Sequence, residues 1–126
     1  MVVVILGFYK RKPGLTHEQF CHHWGHIHGP LIRSLPNIDQ YLLRYVQHHL
    51  SPEPGHNKGG DFDGFSEAWF ADESARDRLY AIPEFANLFD DEEKFLDREE
   101  TRWLIRDDPK VQISGEGKVD VFSTNL

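Results

Sequence analysis

The sequence predicts an α+β protein of the ferredoxin-like kind, a split βαβ whose antiparallel sheet carries its helices on one face. Three observations predict it. Segments of strand period and helix period succeed one another as strand, helix, strand, strand, helix, strand. The opening Met1–Tyr9 stretch is apolar on both alternating sets, as a strand covered on both sides must be. A Thr-x-x-Gln capping box at Thr16 and Gln19 then starts a helix. Helices on one face leave the other apolar face of the sheet to be covered, and a second copy is the economical cover. The expected assembly is a homodimer whose two sheets close into a barrel.

The chain of 126 residues suits a single domain over residues 1–126, with 107–126 a C-terminal arm. No apolar run approaches the ~20 residues of a membrane span. The opening VVVILGF is too short and has no cleavage-site pattern after it, so it reads as a strand rather than a signal peptide, and a cytoplasmic protein is expected. Cys21 is the one cysteine, so no internal disulfide forms. A net charge of −7 and no basic face argue against nucleic acid as a partner.

After the first strand, Lys10–Gly14 is a basic turn into the helix. Phe20, Trp24, Ile27, Leu31 and Leu35 share one stripe at about 100° per residue, the core face. Gly29-Pro30 is expected to end or kink the helix at His28, because proline removes an NH and biases the residue before it away from helical angles. Residues 38–50 alternate and read as a long second strand. Residues 51–60 hold two prolines and three glycines, and form either a lid or a hairpin connection. Phe62–Phe70 is a third strand, with Phe65, Glu67 and Trp69 on one face and Gly64, Ser66, Ala68 and Phe70 on the other. Asp72 caps a short helix reaching Tyr80, and Pro83 opens another running to about Asp97, whose charge run Asp90–Glu93 reads as a solvated face. Thr101–Ile105 is a fourth strand and Lys118–Ser123 a short fifth.

The helical wheel also sorts the histidines. His22 and His26 point to solvent, His23 lies on one flank, and His28 on the other, half in and half out at the irregular helix end. Such an imidazole either faces a cavity or is a satisfied core histidine. The i, i+4 pair His22 and His26 suits zinc in spacing, but it faces solvent and lacks a His-Glu-x-x-His pattern, so no metal is expected.

Together Arg-Lys-Pro-Gly-Leu-Thr at 11–16, His23-Trp24, His28-Gly29-Pro30-Leu31, Tyr41, and Asp63-Gly64-Phe65-x-Glu67-x-Trp69-Phe70 resemble the EthD-like domain of the dimeric α+β barrel superfamily. The likeness spans roughly residues 3–106. The later Asp91–Asp97 stretch is similar to the subgroup of fungal aromatic polyketide pathways, whose members are described as decarboxylases of anthrone-type carboxylic acids and, in related cases, dehydratases or cyclases. The resemblance implies a cofactor-free lyase with an aromatic polyketide substrate. It also implies that His28, in the His-x-Pro-Leu piece, is the catalytic residue.

Loss of CO2 from a β-keto or 2-hydroxyarene acid needs a hydrogen bond or proton where the enolate develops, which His28 is expected to supply as an imidazolium. Tyr41, His48 and Glu67 are the candidates for orienting His28 or the substrate. Trp24, Phe8, Tyr45, Phe65 and Trp69 are the candidates for lining the site. A dehydratase would use the same groups for proton removal and hydroxyl loss. A dimeric binding module for a flat aromatic ligand would need the aromatics alone.

Overall fold

The computed structural model describes residues 2–53, 61–106, 110, 112–114 and 117–118. Four strands, β1 (Val3–Tyr9), β2 (Leu42–His49), β3 (Gly64–Phe70) and β4 (Arg102–Arg106), form an antiparallel sheet in the order β2-β3-β1-β4. This is the split βαβ of the ferredoxin-like fold. The period of two sends Val3, Ile5, Gly7 and Tyr9 of β1 to the helix side, opposite Phe70, Ala68, Ser66 and Gly64 of β3. Val4, Leu6 and Phe8 share the outer face with Trp69, Glu67 and Phe65.

The helices cover the inner face. Helix α1 (His17–His23) starts in the capping box, where the Gln19 backbone NH donates to the Thr16 hydroxyl and the Thr16 NH to the Gln19 side chain. It continues through a π-helical segment, Trp24–His28, into α2 (Gly29–Arg33). The expected break at His28 is therefore corrected. Gly29 keeps helical angles, and its NH bonds the Trp24 carbonyl five residues back. A proline ring crowds the carbonyl four residues before it, and the wider π turn is the deformation that accommodates one without ending the helix.

Other boundaries move for equally local reasons. Residues 38–40 are a 3-10 turn rather than strand, because Asn37 takes a left-handed φ of 54° and the Tyr41 NH returns to Ile38. Helix α3 (Glu73–Ala81) is capped by Asp72, whose carboxylate accepts from the Ala75 NH. A 3-10 turn at Pro83–Phe85 leads into α4 (Ala86–Glu92), which stops well short of Asp97. Beyond it the Lys12 NH bonds the Phe95 carbonyl and the Asp97 NH bonds the Lys10 carbonyl, so this stretch pairs with the chain leaving β1.

Two apolar clusters fill the interior. One joins Ile5 and Phe70 of the sheet to Ile32, Leu35, Ala75, Leu79 and Leu88. The other gathers Tyr9, Phe20, Trp24, Phe95 and Leu96. Gly64 is required by the second, since a Cβ there would lie 2.4 Å from the Trp24 ring. On the outer face Leu104 is 54% exposed. No described helix is long and apolar enough to cross a membrane. A two-stranded ribbon, β5 (Ile113–Ser114) with β6 (Gly117–Lys118), follows β4. The rest of the expected fifth strand, and residues 54–60 of the expected lid or connection, lie outside the described residues.

Candidate active site

The π segment decides which residue looks inward. It takes up one residue more than an α turn would, so the stripe that begins with Phe20 and Trp24 continues through His28 and Ile32 instead of Ile27, while Leu31 packs partly buried against the core. Ile27 is 42% exposed, whereas His28 is 6% and Ile32 8% exposed. The expectation that Ile27 belongs to the core is corrected, and His28 moves from the flank to the centre of the inner face.

A carboxylate waits for it there. His28 Nδ1 donates to Asp91 at 2.9 Å, and His23 Nε2 donates to both oxygens of the same group at 3.0 Å. The Lys94 ammonium stands 4.0 Å away. Asp91 is 4% exposed, which corrects the reading of the acidic run as wholly solvated. Leu88 and Asp91 stand three residues apart on α4, so Asp91 enters the interior beside buried Leu88, and buried Phe95 follows in the turn after the helix. A buried carboxylate is tolerable only when donors satisfy it, and two imidazoles do so here. Its bond to Nδ1 fixes the proton of neutral His28 on that nitrogen and leaves Nε2 as an acceptor. Among the described residues Nε2 has no hydrogen-bond partner, and no fully buried side-chain nitrogen or oxygen is left without one, so Nε2 is not sealed off, and His28 lines a cavity.

That cavity, of about 90 Å³, lies between sheet and helices, with Tyr9, Tyr45, Ser66 and Tyr80 among its walls. The Tyr9 hydroxyl is 2.8 Å from Ser66 Oγ, and the Tyr9 ring occupies the space that a side chain at Gly7 would need. A second chamber of about 480 Å³ adjoins the first through five shared residues, Ile5, Tyr80, Phe85, Glu92 and Trp103, and adds Phe89, Arg76 and Arg98. Its size falls within the range of small-molecule sites.

Burial sets the protonation states. It holds His28 below the usual histidine range against the opposing pull of Asp91, so the ring is neutral at pH 7, which corrects the expectation of an imidazolium donor. It pushes Tyr9 well up and Tyr45 up to about 12, leaving both as neutral phenols. It also raises Glu92 to about 7, with Arg98 opposing and Asp91 reinforcing the shift. A neutral imidazole with a fixed tautomer, beside a carboxyl close to half protonated, is an acid–base arrangement.

The sheet separates the residues singled out from the sequence. His28 and Tyr45 line the inner cavity. Trp24 is buried in the core, tilted against Tyr9 and stacked on His49, which also packs close to Gly25. Tyr41 is half-buried against the core, 6.0 Å from the Arg78 guanidinium. Phe8, His48, Phe65, Glu67 and Trp69 all stand on the outer face, where His48 stacks on Phe65 and Phe8 packs against Phe65. There Glu67 accepts from His48 Nε2 at 2.6 Å and from Trp69 Nε1 at 3.2 Å. Burial alone would raise Glu67, but these donors hold it below the usual carboxylate range.

Asp91, Glu92, His23, Tyr9 and Tyr80 escaped the sequence reading. The signal for the two acids was their place between Leu88 and Phe95. Elsewhere, Asp63 ties the loops at that end of the sheet by accepting from the Arg11 NH and guanidinium and from His17. Among the described residues no group of three or more His, Cys, Asp or Glu is arranged to hold a metal.

A family profile described as the EthD domain matches residues 12–99. No curated protein matches the sequence. Among solved structures, an ethyl tert-butyl ether D (EthD) family protein from Bacillus halodurans aligns with a TM-score of 0.65 at 20% identity, covering 85% of this chain and 98% of that one. The hydroxynitrile lyase of Passiflora edulis aligns at 0.62 and 13% identity, over 83% and 91%. SnoaB, a cofactor-independent oxygenase from Streptomyces nogalater, aligns at 0.55 and 13% identity, over 84% and 91%.

Proposed function

The chain belongs to the EthD domain family, and we propose that it is a cofactor-free lyase, a decarboxylase of an anthrone-type aromatic polyketide carboxylic acid, with His28 as its catalytic base. One observation carries this reading. His28 lines an aromatic-walled chamber with no hydrogen-bond partner on Nε2 among the described residues, while its Nδ1–H is held by a buried carboxylate. A neutral imidazole so fixed accepts the proton of a substrate hydroxyl, which sends electron density into the ring that must lose CO2. The larger chamber receives the fused rings between Tyr80, Phe85, Phe89 and Trp103, and the smaller one receives the hydroxyl-bearing edge. The apolar wall of the inner cavity also reduces hydration of the carboxylate. The hydroxynitrile lyase of Passiflora edulis and SnoaB give precedent for a lyase and for cofactor independence on this fold.

In this reading Tyr45 stands with the substrate, and Trp24 and Tyr41 brace the wall behind it. His48, Glu67, Phe8, Phe65 and Trp69 belong to a homodimer interface. Val4, Leu6, Phe8, Phe65, Trp69 and the exposed Leu104 make the outer face apolar, and an identical sheet covers it at little cost. Solved structures described as dimeric proteins of the same fold support this assembly.

The test is direct. Purified protein incubated with a hydroxylated anthrone carboxylic acid is expected to release CO2 and the anthrone, followed by mass spectrometry. Release of water in place of CO2 would assign the same groups to a dehydratase.

A further inference from the structure

The four successive acids at the end of α4 separate by direction. Asp91 turns to the two histidines, and Glu92, about 100° further round the helix, enters the shared wall of both chambers. Among the described residues it is the one carboxyl common to the two. Its side chain is 16% exposed, its nearest cation is Arg98 with Nε 3.7 Å away, and no described side-chain hydrogen bond reaches it. Because the outer chamber opens to solvent, a proton spent inside can be replaced from water.

We propose that Glu92 is the catalytic acid of the His28 site, delivering the proton that replaces the departing carboxylate. The inference rests on the lyase reading above. In the step it describes, His28 Nε2 takes the proton of the hydroxyl next to the substrate carboxylate. Glu92 meanwhile gives its proton to the carbon bearing that carboxylate, and the ring becomes a ketone. The bond from that carbon to the carboxylate then breaks, and CO2 leaves. The released electron pair restores the aromatic ring, and the oxygen regains its proton from His28. One C–H bond has formed, one C–C bond has broken, and one proton has been taken from water through Glu92. Arg98 holds the Glu92 carboxylate until it is reprotonated.

The surroundings make a carboxylic acid available at neutral pH. The groups sharing these walls with Glu92 are His28, Tyr9, Tyr45, Tyr80, Arg76 and Arg98, and the neighbouring Asp91 carboxylate adds a like charge. Of these only the two arginines are cations at pH 7, and the Arg76 guanidinium is already engaged by Asp77. The single remaining pair with Arg98 does not offset burial, and Glu92 rises to about 7.

Two measurements on wild type and Glu92→Gln decide the matter. The first is kcat against pH with the anthrone carboxylic acid. The second is enzyme-catalysed exchange, in D2O, of the product's aromatic hydrogen on the carbon that bore the carboxylate, read by NMR. Exchange needs proton transfer but no loss of CO2. Wild-type kcat is expected to fall as pH rises through about 7. Glu92→Gln, confirmed as folded by circular dichroism, is expected to lose ~10²-fold or more in both assays. It is also expected to lose that pH limb, which a merely structural change would leave in place. Wild-type rates and an unchanged limb in Glu92→Gln would overturn the role of Glu92 while leaving the decarboxylase standing. Exchange without CO2 release, abolished by the substitution, would support Glu92 and overturn decarboxylation. Neither reaction in wild type would overturn both.

Discussion

Asp91 accepts from two imidazoles, and only one of them reaches the cavity. Replacing it with asparagine puts an amide where both rings present NH groups. His28 then has reason to turn its proton to Nε2, the nitrogen that must accept. Asp91→Asn is expected to lower kcat by about 10- to 100-fold with substrate affinity little changed, in steady-state kinetics. Glu92 gives a stability prediction of definite sign. Its folded pKa is raised to about 7, so the native state holds its proton more tightly than the unfolded chain does. Stability from this group is complete below about pH 4.5 and is lost as pH rises through about 7. Glu92→Gln is therefore expected to gain on the order of 1–3 kcal/mol over wild type at pH 8, and nothing near pH 4, in urea titrations. Both acids hid in a run of four that looks solvated by composition. Only the helical phase against Leu88 separates inward from outward members.

At the scale of elements, capping boxes, alternation and Asp72 were legible because each is a local rule that neighbouring residues satisfy. The path of the chain through Pro30 was not. A proline in a helix can be answered by a stop, a kink or a π turn, and which one prevails depends on what the following turn packs against. Here Ile32 and Leu35 join Leu88 and Phe70 in the core, and continuing the helix buries them. The resulting change of phase makes a test. Ile27→Ser is expected to stay within about 0.5 kcal/mol of wild type. Ile32→Ala is expected to cost about 2–5 kcal/mol in the same chemical denaturation. Equal losses at the two positions would restore the uninterrupted α stripe. Gly64→Ala is expected to cost about 1–3 kcal/mol, since its methyl would collide with Trp24 and the His48 carbonyl.

For the whole molecule, strand order, sheet faces and the family were readable because doubled apolar alternation and motif order extend over most of the chain. The composition of the site was not, because a sheet has two faces and the sequence lists aromatic and titratable residues without saying which face shares a cavity. Aromatics at Phe65 and Trp69 and the His48–Glu67 pair look catalytic in a list and stand across the sheet from His28 in space. Their face makes its own prediction. Leu104→Glu sets like charges against each other in a two-fold sheet interface and is expected to convert dimer to monomer in sedimentation velocity.

One imidazole, fixed by Asp91 and unpaired at Nε2, is proposed to perform the chemistry. That role is tested most directly by His28→Ala, with CO2 release from an anthrone carboxylic acid and binding of that acid measured on the same preparation. Turnover is expected to disappear while binding persists. Undiminished CO2 release from His28→Ala would contradict the account.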